Sequence, residues 1–191
     1  MESAEKPYEA NSDGMIPLDL FISRKKGNHL NLKLIDSSSN LVFSVDRCPN
    51  SSPSRLLSDS SGNPLISIYH QKEIWNGFRR DINEDKDLMF TAERTKNTLS
   101  RVEFQVFLNN GNPDDPNRLT FKMRGSPFYR SCTIYKGDSI VAQTSLMYKL
   151  GIQKVLVPRN RFRLTIFPGH ADHAFIVALI VIFFYGRKLW I

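Results

Sequence analysis

The stretch from Ala174 to Tyr185 reads Ala-Phe-Ile-Val-Ala-Leu-Ile-Val-Ile-Phe-Phe-Tyr and has no polar face. A helix that is apolar all round must be enclosed by protein or sunk in lipid, since no rotation about its axis hides it from water. Length decides between the two. At 1.5 Å per residue the run covers about 18 Å, against a bilayer core of about 30 Å that calls for roughly 20 apolar residues. Extending it to Ile191 brings in Gly186, Arg187 and Lys188, and a cation at mid-bilayer is costly even on lenient insertion scales. The favoured expectation is a core helix. A tail anchor with Arg187 and Lys188 at the membrane edge is the alternative.

The flanks mark its ends. Pro168-Gly169 interrupts any element arriving from upstream, Asp172 suits an N-cap, and Gly186 suits a left-handed C-cap. The expected helix therefore covers about 172–186. His170, Asp172 and His173 lie close together, but capping and solvation explain them better than a metal, because no further cluster completes a ligand set.

Around this helix the chain must build a container. Residues 1–14 are polar and aperiodic, and read as a disordered leader without a signal segment. From residue 15 onward short runs of Val, Ile, Leu and Phe alternate with turn residues, the pattern of an antiparallel β protein. The expected strands are Ile16–Ile22, Leu30–Ile35, Leu41–Val45, Arg55–Ser58, Leu65–Tyr69, Trp75–Arg80, Leu88–Ala92, Arg101–Leu108, Leu119–Met123, Cys132–Tyr135, Ser139–Leu146 and Arg161–Phe167. Lys26-Gly27-Asn28, Lys136-Gly137-Asp138 and Arg124-Gly125-Ser126-Pro127 supply turn chemistry. A short repeat, Asp36-Ser37-Ser38-Ser39-Asn40-Leu41 and Asp59-Ser60-Ser61-Gly62-Asn63-Pro64-Leu65, launches two of the strands.

About twelve strands and one all-apolar helix explain each other. Eight strands make a barrel that its own side chains fill, and sixteen leave a channel. A barrel of intermediate size suits a helix about 10 Å across as its plug. The expected fold is mainly β: a closed antiparallel barrel of about twelve strands enclosing a hydrophobic C-terminal helix, one domain over 15–191.

Several stretches resemble the LURP-one-related family of plants, within the tubby C-terminal-like superfamily that also holds the phospholipid scramblases. They are Leu41-Val42-Phe43-Ser44-Val45-Asp46, Arg55 to Leu65, Phe121-Lys122-Met123-Arg124-Gly125-Ser126-Pro127, Gly137 to Gln143, and Pro168 to Phe175. The resemblance implies the same barrel around a buried helix and a non-enzymatic role in membrane tethering or regulation. The family name also records pathogen-responsive expression, so the implied setting is plant stress or defence. After Ala142 the family has an acidic residue and a basic pair, where this chain has Gln143-Thr144-Ser145-Leu146.

No catalytic motif is present: neither a Gly-x-Ser-x-Gly elbow, a His-Glu-x-x-His pair nor a phosphate loop occurs. The loop Asp81 to Asp87 fails as a calcium loop, with Lys86 at the glycine position and Ala92 at the twelfth. No catalytic residue, cofactor or metal is expected. Cys48 and Cys132 form no framework and suit a reducing compartment. The net charge of +7 and pI of about 9.5 favour anionic partners.

In Arg161-Phe162-Arg163-Leu164, strand alternation sends Phe162 and Leu164 inward and Arg161 and Arg163 outward; Lys122 and Arg124 repeat this around Met123. Arg79 and Arg80 add charge at a strand end. These six side chains are the candidates for binding anionic phospholipid headgroups, against the plainer alternative of a solvated face that keeps the barrel soluble. The expectation is a monomeric cytoplasmic protein, peripheral at the plasma membrane or nuclear, engaging anionic lipid or protein partners. A tail-anchored or scramblase-like protein, and an interaction scaffold or transcription-associated regulator, are the alternatives. Nucleic acid is disfavoured, because no recognition helix or zinc motif accompanies the charge.

Overall fold

A computed structural model describes residues 16–24, 31–47, 54–79, 88–98, 100–109, 120–126, 129, 131–146, 161–169 and 172–185. The first six strands are β1 (Leu18–Arg24), β2 (Leu32–Ile35), β3 (Leu41–Arg47), β4 (Ser54–Asp59), β5 (Pro64–Gln71) and β6 (Ile74–Arg79). They are followed by β7 (Leu88–Asn97), β8 (Val102–Leu108), β9 (Thr120–Ser126), β10 (Ser131–Lys136), β11 (Ser139–Leu146) and β12 (Arg161–Ile166), and then by the helix α1 (His173–Tyr185). Each strand pairs antiparallel with its sequence neighbours, and β12 returns to β1 to close the barrel. Closure removes every free strand edge. The proposed leader 1–14, the Asp81–Asp87 loop and the C-cap at Gly186 lie outside the described residues.

Alternation builds the wall. Leu20 and Ile22 of β1, Ile66 and Ile68 of β5, Phe104 and Val106 of β8, and Leu164 and Ile166 of β12 all point inward and are buried. The helix fills the space they enclose, with every residue from Phe175 to Phe184 buried. Its aromatic side chains key it to the wall at both ends. Phe175 meets Phe90 at 5.2 Å and Phe121 at 5.1 Å between ring centroids. Nine residues further along the helix Phe184 meets Phe162 at 4.7 Å, and its neighbour Phe183 meets Phe104 at 6.2 Å, near the opposite end. Such edge and offset pairs each add about 0.5–1.5 kcal/mol beyond their buried area.

The helix begins as its sequence implies. Asp172 Oδ1 accepts the Phe175 N–H at 3.0 Å, and the Asp172 carbonyl accepts the Ile176 N–H at 3.1 Å, an N-cap that also places a carboxylate at the positive end of the dipole. At the other mouth the guanidinium of Arg55 lies over the Tyr185 ring at 4.6 Å and that of Arg94 over Phe104 at 5.5 Å. In both, the guanidinium itself lies on the ring face, where the negative π cloud attracts it. No helix of the described residues is long and apolar enough to cross a membrane, and the apolar run from Phe175 to Phe184 is buried inside the barrel.

The Asp36 and Asp59 repeat proves to be one turn used twice. Each aspartate Oδ1 accepts two backbone N–H groups, from Ser38 and Asn40 at 2.9 and 2.8 Å and from Ser61 and Asn63 at 2.9 and 2.8 Å. These bonds to backbone and side-chain amides hold both carboxyls below their ordinary pKa: the Asn40 backbone N–H contributes most at Asp36, and the Asn63 side chain at Asp59.

Candidate functional site

Because the helix occupies the lumen, chemistry is left to the outer wall and the two mouths. On the outer wall, β8 and β9 pair with Glu103 opposite Arg124 and Gln105 opposite Lys122. Alternation turns Glu103, Gln105, Lys122 and Arg124 outward, while Phe104, Phe121 and Met123 face the helix. Three cations then converge on one carboxylate. Arg101 Nε lies 2.6 Å from Glu103 Oε1, Arg124 Nε 3.3 Å from the same oxygen, and Lys122 Nζ 3.7 Å from Oε2.

The Glu103 side chain is only 12% exposed, whereas those of Arg101, Lys122 and Arg124 are 43%, 45% and 42% exposed. The carboxylate is therefore sunk beneath a canopy of half-exposed cations. Burial pushes the Glu103 pKa up, but the charges of Arg101, Arg124 and Lys122 outweigh it and hold the carboxyl below its ordinary value. With Glu103 ionised, three positive charges and one negative leave a net charge of +2 on the patch. It is a preorganised set of donors suited to oxygen anions, phosphate in particular.

The remaining candidates fall elsewhere. Arg163 is exposed on the outside of β12, with Nη1 3.7 Å from Asp19 Oδ2 on β1, so its charge is locally balanced. Arg161 opens β12, and its side chain lies outside the described residues, as does Arg80 entirely. β10 and β11 separate β12 from β9, so Arg163 and Lys122 stand about three strand spacings apart, roughly 14 Å. Arg79 ends β6 in phase with the inward Trp75 and Gly77 and lines a pocket at the Asp172 mouth. Among the described side chains only Lys122 and Arg124 of these candidates are brought together, and the structure adds Arg101 and Glu103 to them.

Among the described residues no group of three His, Cys, Asp or Glu side chains converges to hold a metal. Cys132 is buried, and desolvation raises its thiol pKa well above the ordinary value, which keeps it a neutral thiol instead of a nucleophile.

Fold and surface together define a closed β-barrel that carries its own helix as a plug and a cationic cluster on its outer wall. The LURP-one-related family profile matches residues 18–184. The chain is 41% identical over 191 residues to protein LURP-one-related 7 of Arabidopsis thaliana, covering 97% of this chain and 100% of that one. It is 30% identical over 173 residues to protein LURP-one-related 15 of the same plant, covering 87% and 78%. An X-ray structure of a protein from Arabidopsis thaliana superposes with a TM-score of 0.66 at 31% identity, over 91% of this chain and 93% of that one. This protein belongs to the LURP-one-related family.

Proposed function

We propose that this LURP-one-related barrel is a non-catalytic module that docks on anionic, phosphate-bearing membrane surfaces, phosphoinositides included, in a regulatory role tied to plant stress or defence. The observation that carries this reading is the convergence of Arg101, Lys122 and Arg124 on the sunken Glu103 carboxylate. A lone surface cation is solvated and mobile. Three cations gathered on one largely covered acid hold their charges in a fixed array, which lowers the ordering cost of binding a phosphate. The net charge of +7 adds long-range attraction to an anionic leaflet.

The test is flotation of the full chain with vesicles of neutral lipid alone or with added phosphoinositide, at low and moderate salt. At about 1 kcal/mol per cation near an anionic surface, the double variant Lys122→Gln/Arg124→Gln should lose roughly thirty-fold in partitioning and flatten its salt dependence. Equal flotation of wild type and double variant would overturn the assignment of the site. A wild type that never floats with anionic vesicles would overturn the lipid reading itself and leave protein partners as the occupants of this surface.

A further inference from the structure

The mouth of the barrel at the helix N-terminus holds a pocket of about 300 Å³. Its walls are Leu65 and Ile66 of β5, Met89 of β7 and Ala174 in the first turn of α1, with Arg79 and Asp172 as its charged groups. The pocket exists because two adjacent helix positions differ in size: Phe175 fills the barrel axis between Phe90 and Phe121, while the methyl group of Ala174 leaves space beneath it. The volume sits at the lower end of the small-molecule range, and an apolar lining with few polar groups is the usual composition of such sites.

Charge defines the occupant. Arg79 is exposed at the end of β6, and its guanidinium has no ion-pair partner among the described residues. Asp172 has its Oδ1 engaged by the Phe175 N–H and keeps one negative charge at the rim. A single guanidinium matches a single carboxylate through two parallel hydrogen bonds, whereas a doubly charged phosphate would meet the Asp172 carboxylate with only one cation to offset it. At roughly 30 Å³ for each water-sized group, the space admits about ten non-hydrogen atoms.

We propose that this pocket binds small amphipathic acids, with the carboxylate on Arg79 and an aliphatic body of about eight carbons against Leu65, Ile66, Met89 and Ala174. The site is independent of the outer-wall cluster. It lies on strands β5 to β7 and the helix, and its ligand is a free monoanion, not a membrane surface.

The experiment uses the full chain carrying ¹³C-methyl methionine, with the Met89 signal assigned by Met89→Leu, and titrates octanoate, octanol and inorganic phosphate in turn. Octanoate should shift the Met89 methyl saturably, with octanol and phosphate at least about ten-fold weaker, the worth of a charge-assisted hydrogen bond. Arg79→Gln, a change at an exposed strand end, should weaken octanoate about ten-fold. Asp172→Asn retains a competent N-cap and removes the like charge, so it should bind octanoate several-fold more tightly. No saturable shift with octanoate, equal affinity for octanol, or an unchanged affinity in Arg79→Gln would each overturn the proposal; thermal melts of both variants confirm that they remain folded.

Discussion

Gly77 of β6 lies directly beneath the ring of Phe90 on β7, the residue it faces in the pair register. A Cβ added at Gly77 would overlap the Phe90 Cε1 and Cζ atoms. Phe90 has no room to yield, because it is fully buried and meets Phe175 edge-on at 79°. The missing side chain in β6 is therefore what lets Phe90 reach the helix. Gly77→Ala should destabilise the barrel by about 1–3 kcal/mol through overpacking and lower Tm by several degrees. In the double variant Gly77→Ala/Phe90→Leu the two losses should be less than additive, since the smaller side chain removes the clash. An alanine at position 77 that melts with the wild type would mean the ring is not held against the strand.

The twin turns offer an internal comparison. Ser39 and Gly62 stand at equivalent places, each donating its N–H at 3.1 Å to the aspartate carbonyl that opens its turn, and both have positive φ, +69° and +86°. Glycine takes this region freely, whereas an L side chain is strained there by about 1–2 kcal/mol. Ser39→Gly should stabilise by about 0.5–1 kcal/mol after the added freedom of the unfolded chain is subtracted. Gly62→Ser should destabilise by a similar amount. Chemical denaturation of the two variants, read as the midpoint at constant slope, checks both signs.

Those turns, the helix and all twelve strands were legible because each rests on a local pattern: period-two alternation, a recurrent Asp-to-Asn turn, and an apolar run bounded by a cap. Where strand ends differ from the sequence expectation, the cause is at the rim. β7 continues to Asn97, beyond the expected end at Ala92, because an inward residue at a barrel mouth need not be apolar. Arg94 folds its guanidinium over Phe104 there. The Glu103 cluster was legible only in halves. Outward Lys122 and Arg124 follow from alternation, but bringing them onto Glu103 depends on the β8–β9 register, set across the connection from Leu108 to Thr120, where no period speaks. The pocket at Arg79 was hidden for the same reason, since its walls come from separate strands and the helix.

Acid should unfold the protein in two separable windows. His70 stacks on Trp75 at 4.1 Å, and burial first, then the positive charge of Arg94, hold its pKa below the ordinary 6.5, with Glu73 opposing. The unfolded chain thus takes up this proton before the folded one, so stability falls as pH drops below about 6.5. Asp36, Asp59 and Glu103 have folded pKa values below their ordinary 3.8, 3.8 and 4.5. Their stabilisation is present above those values and is lost as pH falls through the lower folded ones. Thermal melts from pH 7 to 3 should show both declines in the wild type. His70→Gln should lack the first decline and keep the second; a variant that loses stability between pH 7 and 5 as the wild type does would remove His70 as the cause.

Glu103 organises the outer cluster and also opposes its use, because the acid that holds Arg101, Lys122 and Arg124 in place subtracts one charge from them. Glu103→Gln keeps the shape and an oxygen where the Glu103 Oε1 stands, 2.6 Å from Arg101 Nε, and raises the patch from +2 to +3. The folded protein should lose stability, since three neighbouring cations are left without their counter-charge. Its partitioning to phosphoinositide vesicles should instead rise about five-fold at low salt, the worth of roughly 1 kcal/mol per unit charge at an anionic surface, and the gain should shrink as salt screens it. Flotation and melting measured on the same preparation separate the two effects. A Glu103→Gln protein that melts lower and binds less would show that the carboxylate's positioning of the cations outweighs its charge. One that melts lower and binds more would show that the wall is an anion site held below its full strength by its own acid.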